Sequence, residues 1–286
     1  MTIKDKYIDP FTDFGFKHIF GKEENKNLLI SFLNDLLDIK DKIVDIEYRN
    51  LEKGGLNSID RRAIFDVYCT DEKNNNFIVE LQRTKQKYFK DRALYYTSFP
   101  IQDQAHRGDW DYRLNKVFFV GILDFVMEEG NEEKYLSKIS LIDEDTKDIF
   151  YDKLTFYYLE MPKFKKQEKE LSSHLEYWLY YLNNVASSDE IPKTLKDDEL
   201  INKAFKVAEF LALSKDEKFT YQQDLKRKLD YKVVLDYAKE EAKEEGMKEG
   251  VKKEKIEIAK NFLKQKVDID IIVISTGLSV KEIEKL

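Results

Sequence analysis

Cysteine is nearly absent: one residue, Cys69, stands in a chain of 286. It cannot make an internal disulfide, and the three histidines do not cluster with it as zinc ligands would. A reducing cytoplasm is the expected compartment. Chain breakers are scarce as well, with 10 Gly and 4 Pro, which favours long continuous elements. Long apolar runs are missing. The longest, Val117 to Leu123, has seven residues, whereas a membrane helix needs roughly 20. The amino end carries Lys4, Asp5 and Lys6 in place of the apolar stretch of a secretory signal. Positive charge is not in excess either. Its 49 Lys and Arg against 56 Asp and Glu leave a formal charge of −7. Nucleic-acid binding would therefore have to rest on a local basic patch.

Core material is abundant, with 19 Phe and 17 Tyr among many Ile and Leu, and this excludes disorder of the whole chain. Leu28, Leu29, Phe32, Leu33, Leu36 and Leu37 recur at helical spacing and predict a helix over 25–37. The preceding segment from Asp9 to Gly21 holds four Phe suited to pack beneath it. Ile43 to Arg49 alternates as a strand, and Gly54-Gly55 marks a loop. Two strands follow over 63–70 and 77–84, joined by Asp71-Glu72-Lys73-Asn74-Asn75-Asn76, which is turn chemistry. A helix is expected from Tyr88 to His106, broken or bent near Pro100. The run over 114–125 reads as a strand buried on both faces, and 138–164 as one or two more. From Glu170 onward only helix is expected. Leu175, Trp178, Leu179 and Leu182 form one apolar face, and Ala204 to Leu213 another.

Two acids stand inside otherwise apolar strands: Asp66 in Phe65-Asp66-Val67-Tyr68-Cys69, and Glu80 in Phe77-Ile78-Val79-Glu80-Leu81-Gln82. Alternation puts Phe65, Val67 and Cys69 on one face and Asp66 and Tyr68 on the other. Glu80 and Gln82 likewise oppose Phe77, Val79 and Leu81. A hairpin loop centred on Lys73 sets Asp66 opposite Glu80, and one centred on Asn74 sets it opposite Gln82. Either brings the polar groups to one face, about 5 Å apart at the β-carbons. An even loop without a bulge would separate Asp66 from Glu80. Two carboxylates this close repel unless a cation lies between them or one keeps its proton. Hard oxygen ligands suit Mg²⁺ or Mn²⁺. Directly afterwards come Arg83, Lys85, Lys87, Lys90 and Arg92 against Asp91, a local charge of +4. An acid pair beside a basic edge fits phosphodiester cleavage, with DNA as partner. The ordinary alternative is a surface on which Arg61, Arg62 or Arg92 neutralises the acids.

The Asp66 … Glu80-Leu81-Gln82 pattern, after one helix and before another, resembles the PD-(D/E)xK nuclease fold. More narrowly, the chain resembles the Rpn family of recombination-promoting nucleases, also described as PD-(D/E)xK transposases. Matching segments are Asp13-Phe14-Gly15-Phe16-Lys17 with Phe20-Gly21, Phe32-Leu33-Asn34 with Leu36-Leu37, and Ile64-Phe65-Asp66-Val67. Further ones are Val79-Glu80-Leu81-Gln82, Arg92 with Tyr95-Tyr96, Leu159-Glu160-Met161-Pro162-Lys163-Phe164, and the Glu-Gly-Met-Lys-Glu-Gly run at 245–250. The resemblance implies an α/β, restriction-endonuclease-like core with a mixed sheet flanked by helices, then an all-helical carboxyl-terminal region. It also implies Mg²⁺-dependent DNA endonuclease activity, with Mn²⁺ as an alternative ion, and a role in recombination or transposition. By position, Asp66 and Glu80 are the metal ligands and, with Gln82, the catalytic set. Gln82 stands where lysine is usual. It cannot supply charge or take a proton, only orient water; Lys85 or Lys17 is left to supply the charge. Lys17, Arg83, Lys85 and Arg92 are the candidate DNA contacts, and Asp13 reads as a helix cap. The non-enzymatic alternative is a degenerate nuclease fold kept for DNA binding or oligomerisation.

The expected division is a nuclease domain over 1–165, a helical region over 166–235, and a charged helix with a short helical tail over 236–286. Lys239 to Glu257 holds six Lys and seven Glu, the pattern of a solvated helix with i,i+4 ion pairs. In the tail, Ser279-Val280-Lys281-Glu282 fits a capping box after Thr276-Gly277, within a helix-turn-helix-like outline. Its last helix balances Lys281 and Lys285 against Glu282 and Glu284, so a packing or homodimer role ranks above DNA reading.

Overall fold

The computed structural model describes residues 6–53, 63–105, 110–127 and 132–286. Gly54-Gly55, Arg61, Arg62 and His106 lie outside them. By contact the chain forms two units, Met1–Leu225 and Lys226–Leu286.

The first unit opens with helix α1 (Asp13–Phe20) and helix α2 (Lys26–Leu36). Thr12, not Asp13, caps α1, its hydroxyl accepting from the Gly15 N–H at 2.9 Å. Gly15 is dictated by close approach, since a Cβ there would meet the Asp9 carbonyl oxygen at 2.1 Å. Strands β1 (Ile46–Tyr48), β2 (Glu52–Lys53), β3 (Ala63–Ile64), β4 (Val67–Asp71) and β5 (Asn76–Gln82) follow. Helix α3 (Phe89–Asp103) continues through Pro100 and leads to β6 (Val117–Leu123), β7 (Leu136–Ile142) and β8 (Ile149–Glu160). Among the described residues, the main sheet has six strands in the order β1-β4-β5-β6-β8-β7, with β5, β6 and β8 parallel and the rest antiparallel. The mixed sheet flanked by helices is the α/β architecture expected.

Each sheet face has its own core. Val67, Cys69, Phe77, Val79, Phe118 and Val120 pack against α1, α2 and the later helices α4 (His174–Asn184) and α5 (Glu199–Val207). Trp178, Tyr181 and Phe205 are fully buried in this layer. His174 lies between the Asp35 and Asp198 carboxylates, tying α4 to α2 and α5. On the opposite face Tyr68, Ile78, Phe119, Leu123 and Tyr158 pack under Phe89 and Ala93 of α3. The apolar face predicted over 204–213 is shorter as helix, because α5 ends at Val207 and a 3₁₀ turn over Phe210–Ala212 follows. Helix α6 (Lys215–Lys264) begins in this unit, where Tyr221 and Asp224 receive the Asp9 and Phe14 N–H groups, each at 2.9 Å.

In the second unit the carboxyl half of α6 joins α7 (Ile269–Thr276) and α8 (Val280–Ile283) around Ala259, Ile272, Leu278 and Ile283. Gly277, at φ 69°, ends α7 by donating to the Val273 carbonyl. The Ser279–Glu282 capping box forms, with the Ser279 N–H at 2.9 Å from Glu282 Oε2. The charged stretch is exposed helix with i,i+4 pairs Glu244–Lys248 and Glu249–Lys253. Among the described residues no helix is long and apolar enough to cross a membrane.

Candidate active site

The site follows from the hairpin between β4 and β5. Asp71 organises the turn: its Oδ1 accepts from the N–H groups of Lys73 and Asn75 at 2.9 and 2.8 Å. Asn74 takes the left-handed backbone at φ 59°, which Asn tolerates better than most residues. Val67 pairs with Val79 and Thr70 with Asn76. The loop is thus centred on Lys73, and Asp66 falls opposite Glu80.

The approach to Asp66 is not the continuous strand expected. Strand pairing breaks at Phe65-Asp66, between β3 and β4. Phe65 donates its N–H to the Leu51 carbonyl at 2.9 Å, and its ring turns to the α3 face against Tyr68 and Tyr96. It therefore does not share a face with Val67 and Cys69. At the break, side chains replace ladder bonds. The Asp66 N–H donates to Glu80 Oε1 at 3.1 Å, and the Leu81 N–H donates to Asp66 Oδ2 at 2.8 Å. These reciprocal bonds fix both carboxylates while leaving each a second oxygen. Nor is the acid-bearing face simply polar: Tyr68 and Ile78 on it are buried, and Glu80 is only 5% exposed.

Burial pushes the Glu80 carboxyl well above its usual range, and the neighbouring Asp66 charge adds to the rise. Burial likewise raises Asp66, opposed by the Leu81 hydrogen bond and the Lys17 charge. Two buried acids held together do not both ionise readily: one keeps its proton unless a cation lies between them. Among the described residues no cluster of three or more His, Cys, Asp or Glu side chains is placed to hold a metal. The pair by itself offers two hard oxygen donors, a set that suits a cation keeping most of its waters, as Mg²⁺ does.

Lys17 arrives from α1, 3.8 Å from Asp66 Oδ1 and 2.8 Å from Asp13. Burial lowers its ammonium, but Asp13, Asp66 and Glu80 outweigh this and hold it above its usual value. Gln82 is buried; its Oε1 accepts from Arg92 and its Nε2 donates to the Thr84 carbonyl at 2.8 Å. Arg92 stacks over Phe89 and Tyr96, 5.3 and 5.6 Å from their centroids, and reaches Gln86 with its other arm. Its role as a clasp on Gln82 was not evident from spacing to β5. The sequence signal is Phe89, Arg92 and Tyr96 at i−3 and i+4 on one helix face. Lys85 is exposed, and Arg83 has one guanidinium nitrogen buried without a partner. Neither is in contact with the acid pair among the described residues, so of the two cations proposed to replace the motif lysine, Lys17 is the one the fold delivers.

A third buried acid lies in the same row of the sheet, where Gln82 pairs with Leu123 and Leu123 with Glu160. Glu160 accepts from the Met127 N–H at 2.8 Å and pairs with Lys163 at 2.9 Å. Its charge is already met, which gives the Glu160-Met161-Pro162-Lys163 segment a structural role.

This sheet, with its acid pair at the end of β5, agrees with a family model described as PD-(D/E)XK nuclease family transposase, which matches residues 10–238. The chain belongs to that family. No curated protein and no solved structure matches it. The PD-(D/E)XK match takes in all of β1 to β8 and ends within α6.

Proposed function

We propose that the chain is a divalent-metal-dependent DNA endonuclease. The observation that carries this is the locked, desolvated Asp66–Glu80 pair, set opposite one another by the β4–β5 register, each with one carboxylate oxygen outside the bonds that lock it. Those carboxylates would hold Mg²⁺, with Mn²⁺ as an alternative. When bound, the ion supplies activation of water and neutralisation of charge growing on the phosphate. Lys17, beside Asp66, adds positive charge near the acids. Gln82 keeps one amide hydrogen beyond its bond to Thr84 and can orient the attacking water; Arg92 fixes that amide. Lys17, Arg83, Lys85 and Arg92 are proposed phosphate contacts, and the helical carboxyl-terminal region is proposed to form a homodimer. The 1–165 nuclease, 166–235 helical and 236–286 tail division remains part of this reading.

The engagement of both ends of the Gln82 amide favours a second reading, a fold that binds DNA without cutting it. Incubating plasmid with purified protein and Mg²⁺, Mn²⁺ or EDTA separates the two. Nicking or linearisation that EDTA blocks supports the nuclease; retardation without cleavage under either metal supports the binding module.

A further inference from the structure

A second polar cleft of about 520 Å³ opens on the α3 side of the sheet, at the opposite end of β4 and β5 from the acid pair. That volume lies in the range of small-ligand sites. Tyr68 forms part of its wall, its hydroxyl donating to Asn76 Oδ1 at 2.9 Å. Asn50, Asn74 and Asn115 add further amide groups, while Gln104 braces the wall, its Oε1 accepting from the Asn115 N–H and its Nε2 donating to the Pro100 carbonyl. Side-chain amides both donate and accept, which is what the edge of a nucleobase requires. Two guanidiniums, Arg49 and Arg113, stand at the cleft with the acid Asp103; each also pairs with one exposed neighbouring carboxylate, Glu47 at 3.0 Å and Asp111 at 3.5 Å, which a phosphate would have to displace or share. Arginine is the residue suited to bind phosphate oxygens in pairs.

An independent feature lies directly before Arg113. Trp110 and Tyr112 pack with ring centroids 4.9 Å apart and planes tilted by 36°, and Tyr112 is 80% exposed. Tyr112 sits at φ 59°, a conformation disfavoured for a bulky side chain. An exposed tyrosine on strained backbone against a half-buried tryptophan, beside an arginine, is the composition of a base-stacking platform.

We propose that this cleft is a nucleotide-binding subsite, taking one phosphate against Arg49 and Arg113 and its base on the Trp110–Tyr112 pair. The choice of nucleic acid rests on the nuclease reading, but the site is separate from the acids. Tyr68, Thr70 and Asn76 share the sheet face of Glu80. Asn76 is four residues from Glu80 along β5, or about 13 Å at roughly 3.3 Å per residue. That is about four steps of a B-form strand at 3.4 Å each. The nucleotide can come from an unpaired part of the substrate strand or from a free mononucleotide.

The test needs no cleavage. Full-length Glu80→Gln protein in EDTA is titrated with a single-stranded decanucleotide, with the matching duplex, and with dAMP, following tryptophan emission. Trp178 is fully buried, so quenching reports on Trp110. Saturable quenching by the single strand, with dissociation constants raised tenfold or more by Arg49→Glu or Arg113→Glu, is the expected result. Trp110→Phe should abolish the quench while a labelled strand still binds within about fivefold. Quenching by dAMP with the same arginine dependence supports the site with a free nucleotide as its source. The idea is overturned if no nucleotide quenches, or if the arginine variants, folded by circular dichroism, bind the labelled strand as tightly as their parent. It also fails if only the duplex quenches. Plasmid cleavage by wild type is scored separately, so loss of either reading leaves the other standing.

Discussion

Glu80→Gln should make the metal-free protein more stable. Glu80 titrates at about 8 in the fold against an ordinary 4.5, because burial and the Asp66 charge both oppose its ionisation. With the folded value above the unfolded one, the unfolded chain releases its proton first as pH rises. The group's contribution is therefore complete below about pH 4.5 and is lost progressively up to about pH 8. At pH 7 the unfolded carboxylate has gained about two and a half units at 1.36 kcal/mol each, while the folded group still holds its proton. The difference is about 3 kcal/mol. The substituted amide carries no charge and can still accept from the Asp66 N–H. Placing a second buried amide donor offsets part of the gain. For a unit of this size 1 kcal/mol moves Tm by about 2–4 °C, so a rise of about 5–10 °C is expected at pH 7.5 in EDTA. At pH 4.5 the two proteins should melt together. Saturating Mg²⁺ should then raise wild type and not the variant, narrowing the gap; occupancy at a hundredfold over Kd contributes about 2.7 kcal/mol. Calorimetry at the two pH values, with and without Mg²⁺, checks this. A gap that is equal at pH 4.5 and 7.5, or a wild type that melts higher at pH 7.5 without metal, would refute the electrostatic reasoning.

Asp66→Ala should abolish plasmid cleavage, whereas Gln82→Ala and Arg92→Ala should slow it less severely, by about 10²-fold on the scale of a positioning or general-base contact; full activity of the Asp66 variant in a nicking assay would remove the mechanism. Charge reversal at Arg83 and Lys85 should weaken DNA binding without regard to sequence and flatten its salt dependence, measured by anisotropy between about 50 and 200 mM salt; unchanged binding would place DNA elsewhere. Sedimentation equilibrium should give a dimer for the full chain and a monomer for a chain ending at Leu225. That cut is the informative one, because Trp178, Tyr181 and Phe205 belong to the first unit's core and a truncation near Glu168 would strip them from it.

The sequence by itself determined the order of the main elements, the two acids and the short set of registers they could take, of which the structure has the one centred on Lys73. These depend on local physics. Asp71 and Asn74 carry the turn within their own side chains and backbone, an odd loop sets which residues oppose, and alternation of period two carries the consequence to Glu80. The capping box at Ser279 and the exposed charged helix were legible for the same reason, since their partners lie three or four residues away. Only the tertiary structure decided what surrounds the acids. Phe65 crosses to the α3 face because Leu51 and Glu80 take the N–H groups on either side of the break. Lys17 reaches Asp66 because Gly15 lets α1 seat against the Asp9 carbonyl. Arg92 clasps Gln82 because α3 packs on the face that strand alternation marked as polar. Each of these contacts joins residues from different elements, and it was the packing of whole layers, which no spacing along the chain records, that brought them together.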